Sequence, residues 1–395
     1  MTMRRAVIAG GGLGGLTAAL ALHRNGWQVQ VLERAPVLEP VGSGISLWPN
    51  ALRALDVVGL GDRLRGASAV GGAGGVRRPD GRWLARSDVG TAVRARFGDP
   101  LIVAHRAELV AMLVDALPPD TVHTATTVTG VEDLSGAELT VHTDNGDRVA
   151  DLLVAADGIR SVLRRQVVPD HPGPRYAGYC AWRMIVPAVA GAAAGFETWG
   201  RDGQRFAAVP LGDAQWYCYA TATVPAGHTG DDHIADLRDR FGSWHDPIPA
   251  ILARLRPGTV LRQDVEELGT PVPAMHAGRV ALLGDAAHAM TPDLGQGGCM
   301  AIEDAVVLAA TLQQAPVAEA LALFTAQRLA RTTTTATRSR RAGRLYLAPY
   351  PVQTLAARLM GLLPDAAVAR GLDSIVDWRP PGNVGKEDVD DGPST

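Results

Sequence analysis

Between residues 4 and 33 the chain runs as a short apolar stretch, a cluster of glycines, a longer apolar stretch ending at Gly26, and a second short apolar stretch. Runs of these lengths predict a buried strand at 4–9, a helix at 13–25 and a strand at 28–33, which is a βαβ unit. Strand segments at 139–142 and 148–154 flank Thr143-Asp144-Asn145-Gly146-Asp147, where the Asn-Gly pair predicts a tight hairpin. From about 176 to 267 the texture changes to short aromatic and β-branched runs broken by Gly, Pro and Asp, such as 205–210 and 215–223, and this predicts a mixed sheet. A buried strand at 279–283 and helices at about 298–312 and 318–345 follow. The expected fold class is α/β, a Rossmann-like domain interrupted by a mixed β-sheet domain, with C-terminal helices. The expected division is 1–70, 100–175 and 270–345 for the first domain, 71–99 and 176–269 for the sheet domain, 346–384 for a helical segment and 385–395 for a polar tail.

The first turn carries candidate chemistry. Gly10-Gly11-Gly12-Leu13-Gly14-Gly15 places G-x-G-x-x-G between strand and helix, with Glu33 at the end of the next strand. Gly10 permits the tight turn, Gly12 lets the backbone approach a pyrophosphate, and Gly15 allows close helix packing. The helix N-terminus supplies partial positive charge, and Glu33 can accept both hydroxyls of an adenosine ribose. The motif alone does not distinguish NAD from FAD, and a glycine-rich turn without ligand is the plain alternative.

Composition narrows the classes. In 395 residues, 47% hydrophobic and 20% charged is ordinary for a globular chain, and a net charge of -3 gives no electrostatic reason to expect a nucleic acid or an anionic membrane. Cys180, Cys218 and Cys299 show no CxxC or Cys/His spacing, which fits a reducing cytoplasm. The apolar stretch 6–22 resembles a signal h-region, but it carries five glycines and no convincing cleavage site. No other run approaches a membrane span, so stable membrane insertion is not expected. Lys386 is the only lysine and sits in the polar tail, which argues against a Walker-A loop, a Schiff-base enzyme and a lysine-dependent halogenase. The Arg-rich stretch 328–344 is expected to be a solvated helix face rather than a nucleic-acid patch.

Further on come Gly284-Asp285-Ala286-Ala287-His288, Pro292-Asp293-Leu294-Gly295-Gln296-Gly297-Gly298, and a helix with Glu303-Asp304; Asp157-Gly158 with Arg160 and Arg164 precede them. In this order the motifs resemble those of the group A flavoprotein monooxygenases, over residues 4 to about 331. The resemblance implies a GR2-type FAD-binding domain in which Gly10, Gly12, Leu13, Gly14, Gly15 and Glu33 hold FAD and Asp285 takes its ribityl chain. It implies that Asp157 supports the dinucleotide and NAD(P)H regions, Arg106 approaches the flavin chain, Val128 contacts the adenine through its backbone, and Arg34 lies beside the adenosine. Gly42-Ser43-Gly44-Ile45-Ser46, with Trp48-Pro49-Asn50, matches the loop that lets the isoalloxazine swing, which puts Gly44 in the cofactor set. As isolated residues, any of these arginines would more often be a surface ion pair.

Gly295, Gly297 and Gly298 expose backbone N–H groups where a helix begins, and such donors would stabilise negative charge on reduced flavin. Pro292, lacking an N–H, would form a rigid wall beside it. The activity implied by resemblance is reduction of FAD by NAD(P)H, addition of O2 at flavin C4a, and transfer of OH from the hydroperoxide to a small electron-rich, aromatic or polycyclic substrate. A second G-x-G-x-x-G is absent, the histidines show no metal-ligand spacing, and the expected assembly is a monomer or homodimer. Arg175-Tyr176-Ala177-Gly178-Tyr179, Trp182-Arg183 and Gly295-Gln296-Gly297-Gly298-Cys299 are similar to the FAD-dependent urate hydroxylases. That similarity puts Arg205 and Tyr217 against the substrate as candidate catalytic residues, with Arg183 and Pro292 as further substrate contacts. Cys180-Ala181-Trp182-Arg183 departs from the Asn-Trp-Asn-Gly of those enzymes, so urate itself is not implied. Arg205 as a structural ion pair and Tyr217 as a core tyrosine stay open at this level. An isoprenoid reductase normally lacks the 292–298 pattern, and a prenyl-binding protein without activity would not need both Asp157 and Asp285.

Overall fold

The computed structural model describes residues 3–38, 43–66, 74–189, 195–212, 214–228, 230 and 232–382. The tail 385–395 with Lys386, residues 71–73 of the expected sheet domain, and Gly42 lie outside the described residues.

The N-terminal unit forms as its apolar runs require: strand Arg5–Ala9, helix Leu13–Arg24, strand Gln28–Leu32. Ten successive residues of the helix, Leu13 to Leu22, are buried, so it is covered on every side. The sheet lies beneath it and helix Gly297–Gln314 packs alongside. The sheet has six strands in the order His276–Ala277, Val280–Leu282, Leu152–Ala155, Arg5–Ala9, Gln28–Leu32, Val122–His123. Its last five strands are parallel, and Leu152 to Ala155 are all buried, as expected for strands covered on both faces. The chain leaves Arg5–Ala9 toward Gln28–Leu32 on one side while Leu152–Ala155 pairs on the other. The crevice at the carboxyl ends of these strands is the switch point where open α/β sheets bind ligands.

The sequence-based strand at 148–154 is two strands. Arg148–Ala150 completes a three-stranded sheet with Val128–Glu132 and Leu139–Thr143, whereas Leu152–Ala155 enters the six-stranded sheet. Asp151 marks the break: its carboxylate accepts from the Arg5 N–H at 2.7 Å, and its own N–H donates to the Arg5 carbonyl at 2.9 Å. Only the pairing partners, not the run itself, reveal that its halves on either side of Asp151 serve different sheets.

The second sheet has seven strands in the order Val260–Glu267, Arg175–Pro187, Gln215–Ala222, Arg205–Leu211, Phe196–Trp199, Gly74–Arg77, Trp83–Ser87. Its side chains divide with the period of two that strands impose. Trp182, Met184, Phe206, Ala208, Trp216 and Cys218 face one way and pack on helices His233–Phe241 and Ile248–Leu252. The alternate positions Arg183, Ile185, Arg205, Ala207, Val209, Tyr217 and Tyr219 share the opposite face, where Tyr217 packs with Val103.

The Arg-rich stretch is a solvated face only in part: Arg341 and Arg344 are exposed, but other arginines turn inward. It lies in the 30-residue helix Val317–Tyr346, where Arg328 is fully buried and paired with Glu303 and Asp304, Arg331 holds Glu303, and Arg340 holds Glu267. The partner acids lie on other elements, so local charge pattern could not show the pairing. Helices Tyr350–Gly361, Asp365–Arg370 and Asp373–Val376 follow. Among the described residues no helix is long and apolar enough to cross a membrane.

Candidate functional site

At the switch point lies a cavity of about 540 Å³ that brings together Gly10, Gly12, Glu33, Arg34, Arg106, Val128 and Asp157, seven residues scattered through the first 157 positions. Gly10 takes φ +109°, and a Cβ there would stand 2.3 Å from the Ala156 carbonyl oxygen. A Cβ at Gly15 would stand 2.1 Å from the Gly10 oxygen, and one at Gly14 would press on Leu283 and Ala301. These glycines let helix and strands touch. Gly12 differs, because nothing lies within 4 Å of its Cβ position and it borders the cavity. Helix Leu13–Arg24 starts there with no side-chain cap and no acid in its first turn, so its free N–H groups are available to an anion. Leu13 is buried in the core just inside this start.

The Glu33 carboxylate accepts from Gly11 N–H at 2.7 Å and Ala35 N–H at 2.8 Å, which fixes it at the cavity wall with lone pairs to spare. Thr126 N–H bonds the Glu33 carbonyl at 2.9 Å and so draws Val128 to the same wall. Asp157 accepts through one oxygen from Val162 N–H at 2.8 Å and Leu163 N–H at 3.3 Å, while its other oxygen, Oδ1, is buried without a partner. A buried carboxylate oxygen left unpaired is costly unless a ligand satisfies it.

Arg164 ties this wall to the next motif by donating to the Ile159 carbonyl at 2.6 Å and the Ala286 carbonyl at 3.0 Å; its burial lowers its pKa. Arg160 instead makes an exposed pair with Glu266 at 2.9 Å. Asp285 is the one exposed residue in the otherwise buried run 280–291, at the start of the short helix Asp285–His288 and outside the cavity lining.

Strand Gly44–Leu47 pairs antiparallel with Ile102–His105, and Arg106 N–H bonds the Ser43 carbonyl at 2.8 Å, so Arg106 and Gly44 sit together. A Cβ at Gly44 would lie 2.3 Å from the Tyr217 ring, so the tyrosine lies directly on this glycine. The Gly295–Gly298 loop packs on the same strand. Cβ positions at Gly295 and Gly298 lie 3.3 Å from Trp48 Nε1 and 2.9 Å from Ile45 Cδ1, whereas Gly297 meets only Met290, at 3.9 Å. Trp48 Nε1 is a second buried polar atom without a partner. Helix Gly297–Gln314 begins with no side-chain cap and no acid in its first turn.

A buried polar network that the sequence did not disclose holds this loop. Asn50 donates to Gln296 at 3.1 Å and to Glu303 at 2.7 Å, Arg328 bonds both Glu303 and Asp304 at 2.6 Å, and His288 meets Asp304 at 2.5 Å. Burial alone would raise the Asp304 pKa, but the charges and hydrogen bonds of His288 and Arg328 outweigh it and hold the carboxyl at about 2. The acidic pair on its helix was visible in the sequence; the partners were not.

On the face of the seven-stranded sheet, Arg205 is buried and donates to Asp293 at 2.8 Å and Thr221 at 3.1 Å, approaches Glu197 at 3.5 Å, and stacks 3.8 Å over the Tyr346 ring. Tyr179 donates to the other Asp293 oxygen at 2.8 Å. Arg205 is thus an ion pair, as one of its two sequence readings had it, and its partner lies in the 292–298 loop. Tyr217 is buried, and burial raises its pKa against the pull of nearby Arg183, which also donates to Gln263 at 2.9 Å. Pro292 is exposed and opens the short 3-10 helix Pro292–Leu294. Among the described residues no group of three or more His, Cys, Asp or Glu is placed to hold a metal.

Residues 3–339 match the model of a family described as FAD binding domain. The chain is 39% identical over 331 residues to aurachin C monooxygenase/isomerase of Stigmatella aurantiaca, covering 82% of this chain and 85% of that protein. It is 35% identical over 335 residues to FAD-dependent urate hydroxylase of Klebsiella pneumoniae, with the same coverage of 82% and 85%. Among solved structures, Klebsiella pneumoniae HpxO complexed with FAD and uric acid superimposes with a TM-score of 0.87 at 30% identity, over 96% of this chain and 97% of that one.

Proposed function

This chain belongs to the FAD-binding-domain family and is an FAD-dependent monooxygenase of aromatic-type substrates; from that premise we propose that NAD(P)H is its electron donor and that it hydroxylates a small electron-rich ring. The observation that carries the site assignment is the unpartnered, buried Asp157 Oδ1 at the switch-point cavity beside the open Gly12. A dinucleotide fits these features: pyrophosphate at Gly12 and the N–H groups of helix Leu13–Arg24, ribose hydroxyls at Glu33, adenine along Val128 and Arg34. Asp285, Arg106, Gly44 and the Gly295–Gly298 loop are assigned to the ribityl chain and flavin, and the six-stranded sheet with its helices to the FAD domain.

Bound FAD supplies electron transfer from NAD(P)H and activation of O2. The residues of this chain supply binding, orientation and dryness. The uncapped start of helix Gly297–Gln314 favours negative charge at its end. The pair of Arg205 with Asp293 ties the Pro292–Gly298 loop to the seven-stranded sheet, so substrate on Tyr217 and Arg183 would be held in fixed relation to that loop. Val103, Leu211 and Tyr217 form an apolar wall there that excludes water.

The test is NADH or NADPH oxidation by the FAD-loaded enzyme across urate, phenolic acids, quinolones and polyketide-like aromatics, with product mass. At least one should stimulate oxidation and gain 16 mass units, the mass of one oxygen atom. Oxidation that yields only peroxide with every compound would count against a hydroxylase of aromatic substrates.

A further inference from the structure

Four strands of the seven-stranded sheet place Arg183, Tyr219, Ala207 and Glu197 in one lateral row, because Arg183 pairs with Tyr219, Tyr219 with Ala207, and Ala207 with Glu197. Paired residues point to the same face, at about 4.8 Å per strand. Ala207, itself 2% exposed, puts only a methyl between two large polar side chains, Tyr219 and Glu197, and the Tyr219 hydroxyl acts on the Glu197 carboxyl across it. The adjoining row, Thr221, Arg205 and Trp199, lies beside the first. Tyr346 closes over that row, its ring 3.8 Å from the Arg205 guanidinium and edge-on to Trp199 at 5.1 Å.

Three charged groups meet in this place, and their exposure separates their roles. Asp293 is 0% and Arg205 6% exposed, whereas Glu197 keeps 21% of its side chain accessible. Arg205 spends its contacts on Asp293 at 2.8 Å, Thr221 at 3.1 Å and Glu197 at 3.5 Å. Arg183 lies three strands away from Glu197 and is bonded to Gln263. The local cation is thus shared by two carboxylates, and Glu197 is the one that keeps accessible side-chain surface. Burial pushes the Glu197 carboxyl up against the pull of Arg205, and the Trp199 and Tyr219 side chains also act on it.

We propose that Glu197, with Tyr219 beside it, is the specificity-determining contact for a hydrogen-bond donor on a neutral aromatic substrate, a ring N–H or a phenolic O–H. This rests on the monooxygenase reading. Protonated or not, the carboxyl offers an acceptor oxygen in a site with little water, where a donor gains a bond and a methylated analogue leaves the oxygen unsatisfied. A carboxylate substrate would find no uncommitted cation at this end and would be desolvated without return. The favoured class is therefore neutral nitrogen heterocycles and phenols, and benzoate-type acids are disfavoured.

The experiment is titration of the FAD-loaded enzyme with 4(1H)-quinolone, 1-methyl-4(1H)-quinolone and 4-hydroxybenzoate, followed by the flavin absorbance change and independent of turnover. Wild type should bind the N–H compound about tenfold tighter than its N-methyl analogue, with 4-hydroxybenzoate weakest. Glu197→Leu should bring the two quinolones within about twofold, while Glu197→Gln, which keeps an acceptor oxygen, should retain most of the preference. If Glu197→Leu does not fold, Glu197→Ala takes its place. An unchanged ratio in a leucine or alanine variant that retains FAD would overturn the proposal, as would wild type binding 4-hydroxybenzoate tightest or binding neither quinolone. A wild-type protein that takes up no FAD would instead contradict the monooxygenase reading.

Discussion

Arg205 and Asp293, 88 positions apart in the chain, form a buried ion pair at 2.8 Å that joins the seven-stranded sheet to the loop preceding helix Gly297–Gln314. Asp293→Ala should leave Arg205 buried with Glu197 at 3.5 Å as its one carboxylate beside the Thr221 bond, lower stability by about 3 kcal/mol, and loosen the loop. Urea unfolding measures the first effect. Peroxide released per NAD(P)H consumed measures the second, and it should rise while FAD is retained.

Arg328 is the hub of the network under the same loop, and its partners Glu303 and Asp304 are 0% exposed. Arg328→Met should cost about 3 to 5 kcal/mol, since it strands buried charge that Arg331 and His288 only partly compensate. A loss within 1 kcal/mol in urea unfolding would show that the network contributes little.

The Asp304 carboxyl is held at about 2, below its ordinary 3.8, so it contributes stability that is complete above about 3.8 and is lost as pH falls toward 2. The contribution is roughly 2 kcal/mol. Unfolding free energies measured from pH 5 downward should fall less steeply for Asp304→Asn than for wild type.

The six-stranded sheet was legible because parallel strands buried on both faces leave continuous apolar runs, as at Ala6 to Ala9, and because Gly10 to Gly15 can serve few other purposes. The residues gathered at the switch-point cavity, from Gly10 to Asp157, were readable through motifs that sit at strand ends. What was not legible depends on distant partners. Nothing near Arg328 announces Glu303, nothing near Arg205 announces Asp293, and Glu197 sits in a short run with no motif. Register across three strands, not spacing along one, gives Glu197 its place.

Asp285 separates binding from stability. It is exposed, so Asp285→Ala should leave the melting temperature of apoprotein within a degree or two of wild type. Loss of charge-assisted hydrogen bonds to the ribityl hydroxyls should weaken FAD binding by about 1.5 to 3 kcal/mol. Equal FAD affinity in the two proteins, measured by fluorescence titration, would remove Asp285 from the cofactor site.

As an FAD-dependent monooxygenase, this chain inserts one atom of O2 into an aromatic-type substrate. Turnover under 18O2 with NAD(P)H, using the compound that most stimulates oxidation, tests it directly. The product should carry one 18O atom, and the released cofactor should be FAD by mass. Product whose new oxygen comes from water, or substrate returned unchanged while all reducing equivalents appear as peroxide, would contradict it.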